Sequence, residues 1–98
     1  MDLDEIIKAL ANPTRREILA WLKTPEAEFC EQEFPFEHGV CSGKIFARAG
    51  LSQSTVSAHL AVLQKAGLVS TQKIGQWVFY KRNEETIAAF LAAMNQGL

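Results

Sequence analysis

The chain has 98 residues, 48% of them apolar and 21% charged, a length that supports one domain over residues 1–98 and a composition that excludes a disordered chain. The longest apolar run, residues 87–94, is eight residues where a helical membrane span needs about 20, and the acidic start Met1-Asp2-Leu3-Asp4-Glu5 excludes a typical secretory signal, so the expected compartment is the cytoplasm, with Cys30 and Cys41 as reduced thiols. Ten Lys+Arg nearly cancel eleven Asp+Glu, yet residues 42–82 hold six basic residues (Lys44, Arg48, Lys65, Lys73, Lys81 and Arg82) and no acid, a local field suited to a polyanion.

Leu3, Ile6, Ile7 and Leu10 fall on one face of a first helix that Asp2 is placed to cap. Asn12-Pro13 starts a second helix, with Ile18, Leu19 and Leu22 inward, Trp21 beside them and an end near Lys23. Thr24-Pro25-Glu26 repeats the cap and proline pattern for a short helical turn, after which the chain reads as irregular through Phe34-Pro35-Phe36. The link 24–41 holds three of the six phenylalanines and five glutamates, and connections longer than about 12 to 15 residues are usually functional or disordered.

Ser42 is read as the cap of a short helix with Ile45, Phe46 and Ala49 inward, closed by Gly50 in a left-handed conformation. Ser52 caps the next helix, whose Val56, Leu60 and Leu63 face the core and which ends at Gly67. Two such helices joined by a tight corner form a helix-turn-helix. Residues 68–74 and 77–82, rich in β-branched and aromatic types around Gly75-Gln76, predict a hairpin, and Asn83 caps a last helix striped with Ile87, Phe90, Leu91 and Met94. The expected fold is therefore mostly α with a small β-hairpin: a winged helix-turn-helix with extra N- and C-terminal helices serving for dimerisation. Ala88, Ala89, Ala92 and Ala93 leave the last helix narrow enough for close packing against a second copy.

The helix after Gly50 carries the chemistry. Its outward Gln53, Ser54, Ser57 and Ala58 are the candidates for base edges, and Ser52 and Thr55 supply hydroxyls near the helix start. His59 lies at the border of the buried stripe, where a local hydrogen bond and a phosphate contact compete. Lys73 and Gln76 flank the hairpin turn and are placed to reach backbone or minor groove, whereas Trp77, Phe79 and Tyr80 are expected to serve strand packing.

Four segments together resemble the ArsR/SmtB family of small bacterial winged-helix repressors. They are Leu10-Ala11-Asn12-Pro13-Thr14-Arg15-Arg16-Glu17-Ile18-Leu19; Gly50-Leu51-Ser52-Gln53-Ser54-Thr55-Val56-Ser57-Ala58-His59-Leu60; Leu63-Gln64-Lys65-Ala66-Gly67-Leu68-Val69; and Gly75-Gln76-Trp77-Val78-Phe79-Tyr80. The resemblance implies a homodimer joined by its first and last helices, bound to a two-fold symmetric double-stranded DNA operator and released by a small effector.

The family's metal motifs are incomplete here. The helix before the recognition helix carries Cys41-Ser42-Gly43 instead of a Cys-x-Cys pair, and residues 86–98 contain no Asp or His. Cys30, His38 and Cys41 offer three ligands only if the link folds back, and Cys30 with Cys41 is a candidate thiol switch; the plainest expectation is two small buried hydrophobes and no metal. An organic effector among the link's phenylalanines is a further alternative. No nucleophile, phosphate-loop or hydrolase signature is present, so neither catalysis nor a cofactor is expected. The competing function is a winged-helix protein-interaction module without specific DNA binding.

Overall fold

The computed structural model describes residues 1–30 and 32–98. In chain order it runs α1 (Leu3–Leu10), α2 (Pro13–Lys23), α3 (Pro25–Glu28), a 3-10 turn (Phe36–His38), β1 (Val40–Cys41), α4 (Ser42–Ala49), α5 (Gln53–Lys65), β2 (Val69–Ile74), β3 (Trp77–Arg82) and α6 (Glu84–Gly97). Four of the expected caps are made. Asp2 accepts from the Glu5 amide and Asn12 from the Arg15 amide, each at 3.1 Å, while Ser52 accepts from Thr55 and Asn83 from Thr86, each at 3.2 Å. Each satisfies one amide that the helix start would otherwise leave unpaired.

The start of α4 differs from the expectation. Ser42 is its first helical residue and not its cap; Cys41 occupies the cap position, with no side-chain cap bond. The reason is tertiary. Val40 and Cys41 pair with Tyr80 and Phe79, so a third strand runs straight into the helix and the sheet fixes the direction of entry. The sheet is antiparallel in the order β1-β3-β2, one strand more than the hairpin read from the sequence. Ile74 opposite Trp77 closes that hairpin.

Four helices gather one core: Ile6 of α1, Ile18 of α2, Ile45 of α4 and Val56, Leu60 and Leu63 of α5 are fully buried together. At roughly 1.5 to 3 kcal/mol for each such side chain, this cluster fixes α5 against α1, α2 and α4. Gly50 ends α4 at φ 65, the left-handed conformation that lets the cap of α5, Ser52, follow two residues later. On α6 only Phe90 is buried, with Ile87 and Met94 partly covered.

The link is built into this core. Phe29 stacks edge-on against Trp21 with ring centres 6.5 Å apart, and Phe34 meets Phe79 at 5.2 Å and Trp77 at 5.9 Å. Arg48 donates to the Glu28 carbonyl and carboxylate, both at 2.7 Å, and lies over the Trp21 ring. The Gln32 amide donates to the Gly39 carbonyl at 2.9 Å and accepts from the Cys41 amide at 3.0 Å, so one side chain covers the outer edge of β1 as a further strand would. Phe79 is fully buried, as the packing reading required, while Trp77 remains 43% exposed. Burial pushes the Tyr80 phenol above its usual value of 10.0, so it stays neutral.

Candidate nucleic-acid interface

The Gly50 corner turns the start of α5 toward solvent. Ser52, Gln53, Ser54, Thr55, Ser57 and Ala58 are all exposed, and Val56, Leu60 and Leu63 are buried behind them. The first turn of α5 contains no acid, so the positive end of the helix dipole is not neutralised. The hydroxyls form a small network at the cap: Ser52 Oγ lies 2.8 Å from Thr55 Oγ1 and 3.3 Å from Ser54 Oγ. Because Ser52 already accepts the Thr55 amide, the Gln53 and Ser54 amides are the free donors for a phosphate oxygen. Gln53, one turn before Ser57, shares its flank of the helix.

The hairpin is tied to this helix, since the Gln64 amide donates to Thr71 Oγ1 at 3.4 Å. Lys73 and Gln76 are exposed beside the hairpin turn. The structure divides the basic residues of the 42–82 segment. Arg48 pairs with Glu28, Arg82 pairs with Glu84 at 2.8 Å, and Lys81 donates to the Glu37 carbonyl at 2.9 Å. Lys44, Lys65 and Lys73 make no ion pair among the described residues.

His59 is half-buried and meets a residue that the charge map had left aside. Arg15, on α2, places Nη1 3.2 Å from His59 Nδ1. Helix periodicity cannot find such a contact, because the two residues are far apart in sequence. The signal available was only that Arg15 and Arg16 stand in the first turn after the Asn12 cap.

The outer helices leave an apolar stripe uncovered: Leu3 is 36%, Ile7 46% and Leu91 60% exposed. No helix among the described residues is long and apolar enough to cross a membrane.

Both cysteines are free thiols, but they are not the two small buried hydrophobes expected from the sequence: Cys30 is exposed and Cys41 only half-buried. Among the described residues no three of His, Cys, Asp and Glu gather in a group that could hold an ion, so Cys30, His38 and Cys41 are not brought together as a ligand set. Cys41 works through its backbone, paired to Phe79 and donating to Gln32. Accordingly Cys41→Ser should change operator affinity by less than about tenfold, or 1.4 kcal/mol. A competition binding assay under reducing conditions checks this.

Comparison with known proteins agrees with this arrangement. Residues 39–71, from the end of the link through α5 into β2, match the family described as bacterial regulatory protein, arsR family. The chain is 40% identical over 89 residues to the uncharacterized HTH-type transcriptional regulator YbzH of Bacillus subtilis, covering 89% of both chains. It is 32% identical over 91 residues to the transcriptional activator HlyU of Vibrio cholerae, covering 93% of this chain and 72% of that one. Against the transcriptional repressor SdpR of Bacillus subtilis it is 27% identical over 99 residues, covering 97% and 96%. The solved structure of HlyU from Vibrio cholerae superposes with a TM-score of 0.63 at 31% identity, covering 96% of this chain and 90% of that one. An acid-free recognition helix, a wing bonded to it and the matched sequence through both identify the chain as a DNA-binding transcriptional regulator of the ArsR family.

Proposed function

We propose that the chain, a single domain over residues 1–98, acts in the cytoplasm as a homodimeric repressor that α1 and α6 join and that a small effector releases from its operator. Each protomer lays α5 in a major groove with the hairpin on the flanking backbone, and the two-fold axis of the dimer matches that of the operator. In this reading Gln53, Ser54, Ser57 and Ala58 meet base edges, Ser52, Thr55 and His59 meet phosphate, and Lys73 and Gln76 extend the contact from the wing. The observation that carries it is the exposed, acid-free amino-terminal half of α5 held on a buried Val56, Leu60 and Leu63 stripe. No catalytic step and no bound cofactor are part of this function.

The test is titration of labelled double-stranded DNA from upstream of the protein's own coding region. Gln53→Ala should relax base preference, since a good bidentate contact contributes about 1 to 3 kcal/mol of discrimination. Lys73→Ala should weaken all sequences alike and lower the salt slope. If Lys44, Lys65 and Lys73 of both protomers touch phosphate, log K against log salt falls with a slope of about −5. A slope near zero, with no preference for any sequence, would favour the interaction-module reading instead.

A further inference from the structure

Arg15 joins two helices that the proposed function uses for different purposes. Its Nε donates to the Ala9 carbonyl at 2.6 Å and its Nη2 to the Lys8 carbonyl at 3.2 Å, both at the carboxyl end of α1. Its Nη1 lies 3.2 Å from His59 Nδ1, in the middle of α5. The backbone beneath it is fixed as well, because the Arg15 amide donates to the Asn12 cap. A guanidinium offers only donors and does not lose its proton. To accept from this donor Nδ1 must present its lone pair, which leaves Nε2 as the ring's N–H.

We propose that Arg15 is a positioning residue for DNA binding: it holds His59 in the Nε2–H tautomer, with that N–H directed away from α2 as a donor to a phosphate oxygen, and ties this donor to the end of α1. The inference rests on the reading of α5 as the DNA helix. Its consequence is mechanical. α1 carries the uncovered Leu3 and Ile7, so a change in how two copies pack there moves the Lys8 and Ala9 carbonyls and, through one side chain, the ring on α5. A matched comparison exists beside it. Arg16 also caps the end of α1, donating to the Leu10 carbonyl at 2.6 Å, but makes no hydrogen bond to α5 among the described residues.

The experiment combines long-range proton–nitrogen spectra of His59 in the free full-length protein with titration of the upstream DNA. The wild type should show the Nε2–H tautomer. Arg15→Ala should mix the tautomers and weaken binding about tenfold, the scale of one charge-assisted hydrogen bond. Arg16→Ala should leave the tautomer unchanged and cost less than about threefold, and Arg15→Ala should cost little more once His59→Ala is present. His59→Gln, which keeps a group at the outward position, should bind better than His59→Asn, which keeps only the inward acceptor for Arg15. An unchanged tautomer in Arg15→Ala, equal losses from Arg15→Ala and Arg16→Ala, or the full loss persisting beside His59→Ala would overturn the proposal. So would Asn serving as well as Gln, which stands even where Arg15→Ala does not fold. If the wild type binds no DNA sequence preferentially, the underlying reading fails and the proposal with it; if it binds and Gln53→Ala relaxes preference while the Arg15 and His59 variants match wild type, only this proposal fails.

Discussion

Leu91→Glu should turn the protein from a dimer into a monomer and reduce operator affinity by more than about a hundredfold, because two half-sites held by one dimer gain 10²–10⁴ over one alone. Leu91 is 60% exposed in the isolated chain, on the same helix whose Phe90 enters the core. In the monomer the new carboxylate stays in water, and substitutions at such a position usually shift stability by less than about 0.5 kcal/mol. In a dimer joined through α1 and α6 the carboxylate is buried, and the same two-fold axis brings its copy to the opposing surface; each unpaired buried charge costs several kcal/mol. Sedimentation at micromolar concentration, thermal melting and DNA titration separate these effects. A variant that remains a dimer with unaltered operator binding places the interface elsewhere than on this stripe.

Gly39→Ala should cost about 3 kcal/mol of stability, mostly from backbone strain and steric displacement. Gly39 sits at φ 107, and a Cβ there would lie 2.6 Å from the Tyr80 carbonyl oxygen and 2.9 Å from its carbon. Both obstacles are backbone, so β1 must separate from β3 or Gly39 must change conformation. Either change releases the Gln32 clamp on the Gly39 carbonyl and loosens the entry into α4. For a domain of this size the loss corresponds to a fall in melting temperature of more than about 10 °C. Gly43→Ala is the internal comparison: Gly43 is helical with open space where its Cβ would stand, and alanine there should raise stability by about 0.5 to 1 kcal/mol. Equal melting temperatures for the two variants would show that the close approach of Gly39 to Tyr80 imposes no strain.

The sequence by itself determined the helices, the hairpin and the face of α5 that meets solvent, because each rests on local physics. Asp2, Asn12, Ser52 and Asn83 cap helices through amides three residues away, and Val56, Leu60 and Leu63 repeat at the helical period. The family motifs lie in these same segments, so the resemblance and the elements were legible together. Tertiary structure decided what depends on residues distant in sequence. β1 exists because Val40 and Cys41 meet Tyr80 and Phe79, and its two residues are too short to show an alternation of their own. Pairing across that gap also moved the cap of α4 from Ser42 to Cys41. The same limit applied to the site. Counting charges along residues 42–82 gave the sign of the field, but only folding brought Glu28 to Arg48 and the Glu37 carbonyl to Lys81, removing them from the free cations. It also brought Arg15 to His59, a contact between two helices whose partners no periodicity specifies, since side-chain geometry after packing sets it.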